Sequence, residues 1–423
     1  MSSEPRWIGR AWRAGTALTG ILVVLPFLTA CEKLLEVDAN PETISAGSIG
    51  GSASFKPRYV GAQSDFIAAF DEAVLYGALF TDELEWGESF LSRDEVDRRI
   101  VRTSNDAVAT DLYTPLQVAA VSTRSVQKDL LENKFPDVVA DGPGSKELAR
   151  VSLYSGYARL YLAELFCTLA FDGQGPEYQS KDVYAMAIED FTRAIGAARV
   201  ESSIKNAALV GRARARLDAG DKAGARADAA QVPKGFEFLA SYSGNSTREE
   251  NDLYTMTWGN TRLTVGVPFR KMTIDNTGVA DPRVSVRDQG KPTFNGNVPL
   301  FTPNKYATRA SPIRLASWEE AQYLIAEIDG GATARDIINA VRQARGITQV
   351  FDPNKTASAQ EIRDAVVSEK ARTLFMEGQR MGDLRRYADQ MKLDLFPTGA
   401  NYGTQTCIPL PDLERGTNPG LRQ

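Results

Sequence analysis

Two stretches, SLYSGYARLYLAELFCTLAF (152–171) and VYAMAIEDFTRAI (183–195), limit the fold more than any other feature of the chain. Tyr154, Ala158, Tyr161, Leu162, Leu165 and Phe166 recur at threes and fours in the first. Tyr184, Ala187, Ile188, Phe191 and Ile195 do the same in the second. That period lays an apolar stripe along one side of an α-helix, and each stripe must be buried against another element. Phe66, Ile67, Phe70, Val74 and Leu75 form an earlier stripe, as do Leu112, Leu116, Ala119 and Ala120. In ALVGRARARLDAGDKAGARADAAQVP, Gly211 stands 12 residues before Ala223 and 19 before Ala230, and Pro233 closes the unit. Small residues at such spacings let paired helices approach closely, as in tetratricopeptide (TPR) repeats. Looser copies surround Gly156 and Ala187, and Ala326 and Ala340. The expected fold is mainly α, with TPR-like helix pairs forming a curved scaffold over 54–233 and 313–392.

Residues 234–312 break this pattern. They are rich in Pro, Gly and Asn, and RLTVGV (262–267) alternates as a short strand would. Aromatic residues remain frequent there, among them Phe236, Tyr254, Trp258, Phe294 and Phe301. A loop-rich, partly β insertion of this size inside a compact domain is usually functional. Helices resume where Ser317 and Glu320 spell a capping box. A second box, Ser358 with Glu361, opens a helix expected to run through EIRDAVVSEKARTLFMEGQRMGDLRRY (361–387). A proline-interrupted segment, 393–423, ends the single large domain expected over 54–423.

The N-terminus obeys a different grammar. Arg6, Arg10 and Arg13 precede an apolar run of about 15 residues, and LTAC ends at Cys31. A run this short falls below the roughly 20 residues that a membrane-crossing helix needs. Residues 1–30 therefore read as a secretory signal, and LTAC has the shape of a bacterial lipobox with Cys31 as the acylated residue. Residues 31–53, rich in Gly and Ser, read as a lipidated tether.

Composition removes whole classes of function. The chain has no histidine, which excludes Ser-His-Asp and Cys-His nucleophile systems and HExxH zinc sites. Leaving out residues 1–30 removes three arginines and one glutamate, so the formal charge moves from −5 to −7. An acidic chain without basic runs is a poor ligand for nucleic acid. Once Cys31 carries lipid, Cys167 and Cys407 remain. An even remainder in an exported chain points to a disulfide, against two separate buried thiols.

Glu369 and Glu377 raise the possibility of a glycosidase pair. On one continuous helix, eight residues span roughly 12 Å, beyond the roughly 5–9.5 Å such pairs need. They read instead as a structural brace paired with Arg372, Arg380, Arg385 and Arg386. The acidic run DELEWGE lacks the alternating loop pattern of a calcium site. Catalytic residues, cofactors and metals are not expected.

Several ordered segments resemble one family. KYATRASPIRLASWEEAQYLIAEI (305–328), IINAVRQARG (337–346), SEKARTLFMEGQRMGDLRRY (368–387) and PLPDLERGTNPGL (409–421) follow one another as in the SusD/RagB outer-membrane nutrient-binding lipoproteins. ADPRV (280–284) and the start CEKLLEVDANP are similar to family features as well. The resemblance implies lipid anchoring on the outer face of the outer membrane. It also implies a SusC-like TonB-dependent barrel as partner and capture of oligosaccharide or peptide, followed by delivery through lid closure. The rival reading is a tethered TPR-like adaptor that binds only protein.

The candidate ligand residues are aromatic and polar. Trp86, among Asp82, Glu83, Glu85 and Glu88, suits stacking on a sugar's C–H face; equally, it suits closing a helix end. Tyr254 and Trp258 lie in the insertion, where no helix period demands them, and Asn260 and Arg262 add hydrogen-bonding groups. Trp318, at the first turn of a capped helix, reads as core.

Overall fold

Apolar stripes at helical spacing do become helices, and their small residues decide how closely those helices meet. The structure, a computed structural model, describes residues 51–274, 277–348 and 356–421. Cys31, the signal 1–30 and most of the tether lie outside the described residues.

A 3-10 turn at Ser52–Ser54 leads into α1 (Phe55–Phe80), which is followed by β1 (Leu84–Trp86) and α2 (Leu91–Asp97). Next come α3 (Thr114–Leu131) and α4 (Lys146–Leu165), the hairpin β2 (Thr168–Phe171) with β3 (Gln174–Gln179), and α5 (Ser180–Gly196). The first half closes with α6 (Ser202–Asp218) and α7 (Lys222–Ala229). Sequence neighbours pack on one another, α4 on α5, α5 on α6 and α6 on α7. The Phe191 ring of α5 fits between two glycines. A Cβ on Gly156 would lie 2.7 Å from that ring, and one on Gly211 2.5 Å from it. Close packing in the stack thus depends on the absence of those two side chains.

The insertion begins with β4 (Glu237–Ala240) and continues through the single turn α8 (Asp252–Tyr254), β5 (Leu263–Val265), β6 (Val286–Pro292) and β7 (Pro299–Pro303) to β8 (Ile313–Ser317). β4 pairs with β8, β6 with β7, and β5 reaches back to β1, all antiparallel. The expected strand at 262–267 is shorter than its alternation suggests, because Gly266 and Pro268 turn the chain into a 3-10 turn at Val267–Phe269.

α9 (Trp318–Asp329), α10 (Gly331–Ala344), α11 (Ala359–Thr373), α12 (Arg380–Arg386) and α13 (Asp412–Thr417) complete the chain. Two expectations need correction. The helix anticipated over 361–387 is two helices, since Met376 (φ 54°) and Gly378 (φ 90°) adopt left-handed backbone between them. At α9 only half of a capping box forms. Ser317 accepts from the Glu320 N–H, but the Glu320 carboxylate turns to Arg214, 3.3 Å away. Ser358 and Glu361 form both halves of theirs. No helix among the described residues is long and apolar enough to cross a membrane.

The interior holds charge as well as hydrocarbon. Glu369 of α11 accepts from Arg283 in the insertion at 2.6 Å and from Arg342 of α10 at 2.8 Å. Glu377, in the break between helices, takes Arg314 of β8 at 2.9 Å, together with Lys305. Glu369 and Glu377 therefore serve two separate networks and share no helix face. Arg283 also grips Asp281. Burial alone would lower the Arg283 pKa, yet hydrogen bonds to Asp281 and Glu369 carry it above the usual guanidinium value. Removing Glu369 takes a shared carboxylate from two buried guanidinium groups, leaving Arg342 without that counter-charge and Arg283 with Asp281 alone among the carboxylates. Glu369→Ala should lower stability by about 3–5 kcal/mol, read from the urea midpoint at unchanged m-value, and a loss below about 1 kcal/mol would contradict this account.

Candidate functional site

β1 follows the end of α1 and alternates as a strand must, Leu84 and Trp86 inward and Glu85 outward. Trp86 is only 4% exposed and packs in the main core. The Arg93 guanidinium lies 5.7 Å from the centre of its ring, and its Nε1 has no hydrogen-bond partner. An open stacking platform is therefore not what this residue provides. Of the two sequence readings, its burial matches the packing one.

Trp86 nonetheless lines a polar cavity of about 440 Å³, within the range of small-ligand sites. Three pieces of chain close around it. Glu85, Glu88 and Ser89 come from β1 and the turn after it; Leu91, Asp94, Asp97 and Arg98 come from α2. Asn295, Asn297 and Val298 belong to the β6–β7 turn, and Asn401 and Tyr402 to the C-terminal segment.

Local chemistry explains each placement. The β6–β7 turn lies directly on Gly87, where a Cβ would sit 2.5 Å from Thr293. The Asn295 N–H donates to the Gly87 carbonyl at 3.1 Å, and the Phe294 N–H to the Thr261 carbonyl at 2.9 Å. The C-terminal loop is held by Arg99, whose guanidinium donates to the carbonyls of Gln405, at 2.8 Å, and of Pro397. The Gly403 N–H donates to the Arg98 carbonyl at 2.7 Å. The sulfur atoms of Cys167 and Cys407 are bonded at 2.05 Å, joining this loop to the end of α4.

The aromatic surface of the site is at its rim. Phe294 is 63% exposed, with Arg262 stacked 5.7 Å from its centroid. Arg262 also pairs with Glu88 at 3.3 Å, so it borders the cavity. Tyr402 is 37% exposed, and Phe90, beside the lining residues Ser89 and Leu91, is 50% exposed. The structure thus brings Trp86 and Arg262 to one place and leaves the other expected ligand residues elsewhere. Trp258 is half-buried and donates its indole N–H to the Pro303 carbonyl at 2.9 Å. Tyr254 is half-buried at the end of α8, and Asn260 is exposed just past the turn that follows. None of these three lines the Trp86 cavity. Sequence reasoning missed Asn295, Asn297 and Tyr402. The turn-forming run FNGN (294–297) between two strands was the available signal for the first two.

A second, larger groove of about 890 Å³ runs between α1, α3 and α13. Its lining is mainly apolar and includes the exposed Val118, Val121 and Leu413.

A family model described as the SusD family matches residues 320–418. None of the curated proteins matches the chain. Solved structures match it almost throughout. A SusD superfamily protein from Bacteroides fragilis, 12% identical, aligns over 88% of this chain and 99% of its own, with a TM-score of 0.67. A SusD homolog from Bacteroides thetaiotaomicron VPI-5482, 14% identical, aligns over 90% and 99% with a TM-score of 0.67. Surface glycan-binding protein A from Bacteroides uniformis, 15% identical, aligns over 88% and 99% with a TM-score of 0.66. The class is that of mainly helical SusD-like proteins. The SusD family's sequence pattern is matched over 320–418, and the fold of SusD superfamily structures extends across the described residues.

Asp97 gives the cavity wall a titrating group. Burial pushes its carboxyl up to about 7, while the Trp86 backbone N–H, donating at 2.8 Å, works in the opposite sense. Glu85 and Asp94 add to the rise, and Arg98 opposes it. Between the ordinary carboxylate pKa near 3.8 and about 7, the folded chain keeps this proton and the unfolded chain has lost it. Its contribution to stability is full below that window and disappears as pH rises through it. The urea midpoint of the wild type should therefore fall relative to Asp97→Asn between about pH 4 and pH 8, and parallel profiles would contradict the assignment.

Proposed function

We propose that this protein captures an oligosaccharide at the Trp86 cavity and performs no chemistry on it. The observation that carries this reading is one cavity that combines exposed rings at its rim with asparagine amides and carboxylates in its wall. Sugar rings offer apolar C–H faces to such rings and hydroxyls to such acceptors. The likeness to a surface glycan-binding protein supports it. Glu369 and Glu377, the carboxylates that first raise a hydrolase, are engaged by guanidinium groups in the interior.

The wider role is the one that the resemblance to the SusD/RagB family implies. Acylated at Cys31, the protein sits on the outer face of the outer membrane and passes its ligand to a SusC-like TonB-dependent barrel. The apolar groove between α1, α3 and α13 supplies a surface for that barrel's polypeptide, with Val118, Val121 and Leu413 covered on contact. The same groove would serve the rival adaptor, which binds protein without glycan.

Affinity electrophoresis through a glycan panel separates the two readings. Tyr402→Ala and Phe294→Ala should each weaken retardation about five- to tenfold, the worth of about 1 kcal/mol of ring contact, while Tyr254→Ala leaves it unchanged. Labelled palmitate should mark the exported wild type and not Cys31→Ala. Retardation that survives both rim substitutions, or that Tyr254→Ala abolishes, would place the site elsewhere. Absence of retardation on every glycan would favour the adaptor, and an unlabelled wild type would remove the anchor.

A further inference from the structure

The wall of the Trp86 cavity is lined by more acidic than basic side chains. Glu85, Glu88, Asp94 and Asp97 all face it, and Arg98 is the one cationic side chain among the lining residues. That arginine is already engaged, with its Nε 2.9 Å from Asp94. The nearest other guanidinium groups are engaged as well, Arg262 by Glu88 at 3.3 Å and Arg270 by Glu85. Arg93, above the Trp86 ring, is paired with Asp111 at 2.7 Å. What remains for a ligand is a set of carboxylate oxygens, the side-chain amides of the asparagines and the Ser89 hydroxyl.

Such a wall accepts hydrogen bonds far better than it neutralises negative charge. A hydroxyl donates to a carboxylate through a charge-assisted bond, and an ammonium group adds Coulomb attraction. A carboxylate or sulfate on the ligand finds no free cation. To obtain Arg98 it would have to displace Asp94, leaving an unpaired negative charge in a partly enclosed space. Building on the glycan-capture reading, we infer that this cavity sorts glycans by charge, admitting uncharged and amine-bearing sugars and refusing those that carry carboxylate or sulfate. The rim rings are indifferent to that distinction, since they contact C–H faces common to all these sugars. Specificity therefore lies with Glu88 and Asp94, and affinity with Phe294 and Tyr402.

The test uses an array of neutral, amine-bearing, uronate-bearing and sulfated oligosaccharides, probed with the full chain. Binding confined to the neutral and amine-bearing members supports the inference. Binding concentrated on uronates or sulfates overturns it while leaving capture intact, and binding to no member removes the capture reading and the inference with it. The best neutral binder is then compared with its own C6-oxidised form. The oxidised form should bind at least about tenfold more weakly at low salt, and the gap should narrow as ionic strength approaches about 0.5 M. A gap insensitive to salt would mean steric exclusion and would overturn the charge argument. Ser89→Lys places a cation at the exposed lip without removing any packed group, and it should shrink the neutral-to-oxidised ratio severalfold. An unchanged ratio in that variant, with the fold verified by its melting curve, would count against the inference.

Discussion

Buried guanidinium groups join stretches of chain that the helical period leaves unconnected. Arg314 on β8 holds Glu237 of β4, Glu319 of α9 and Glu377 in the break after α11. Arg386 of α12 holds Glu327 of α9, Asp383 and Asp218 of α6. Arg214 of α6, fully buried, lies between Glu164 of α4 and Glu320 of α9. Each ion would be costly to bury alone, and pairing removes most of that cost. In such a network, helices related only by apolar stripes acquire one register, because a shift would strand a charge. The web ends at the Trp86 cavity. Arg380 of α12 grips Asp82 through two bonds of 2.8 and 2.7 Å, and Glu83 accepts from the Met376 N–H at 2.8 Å. Those contacts fix the residues immediately before β1, and β1 carries Trp86.

The site is correspondingly a product of distant segments. β1 and α2 supply one wall, a turn some two hundred residues later supplies another, and a loop near the C-terminus supplies the third. Every one of them is a connection or a short element, braced by the scaffold beneath it, which is where binding groups gain adaptable geometry on a rigid base. Two glycines make the assembly possible. Gly87 leaves room for Thr293, and Gly403, where a Cβ would meet the Arg99 carbonyl at 2.3 Å, lets the C-terminal loop lie against α2.

Much of the scaffold was legible because its information is local. Residues three and four apart announce a helix, and Gly211 and Gly156 announce close packing, whatever lies beyond. The break at Leu374–Gln379 was hidden because Leu374, Phe375 and Met376 continue the apolar pattern up to Gly378, whose left-handed backbone ends it. Trp86 was half legible. The acidic company of DELEWGE suggested exposure, but the alternation of Leu84 and Trp86 with Glu83 and Glu85 is that of a strand with its apolar face turned inward. Partners such as Arg283 with Glu369, 86 residues apart, leave no local trace. The same holds for Asn295, Asn297 and Tyr402, which become neighbours of Trp86 only through folding. The expected cluster of Tyr254, Trp258 and Asn260 rested on composition of the insertion, which shows that aromatics are present but not which way they face.

The central claim is that a charge-braced scaffold presents one glycan cavity, built by β1, α2, the β6–β7 turn and the loop that carries Tyr402. Amide hydrogen exchange of the protein with and without a bound oligosaccharide tests it most directly, since exchange reports protection segment by segment. The account predicts added protection confined to residues 85–98, 293–298 and 399–405. Protection confined instead to 252–262, or to the groove between α1, α3 and α13, would contradict it.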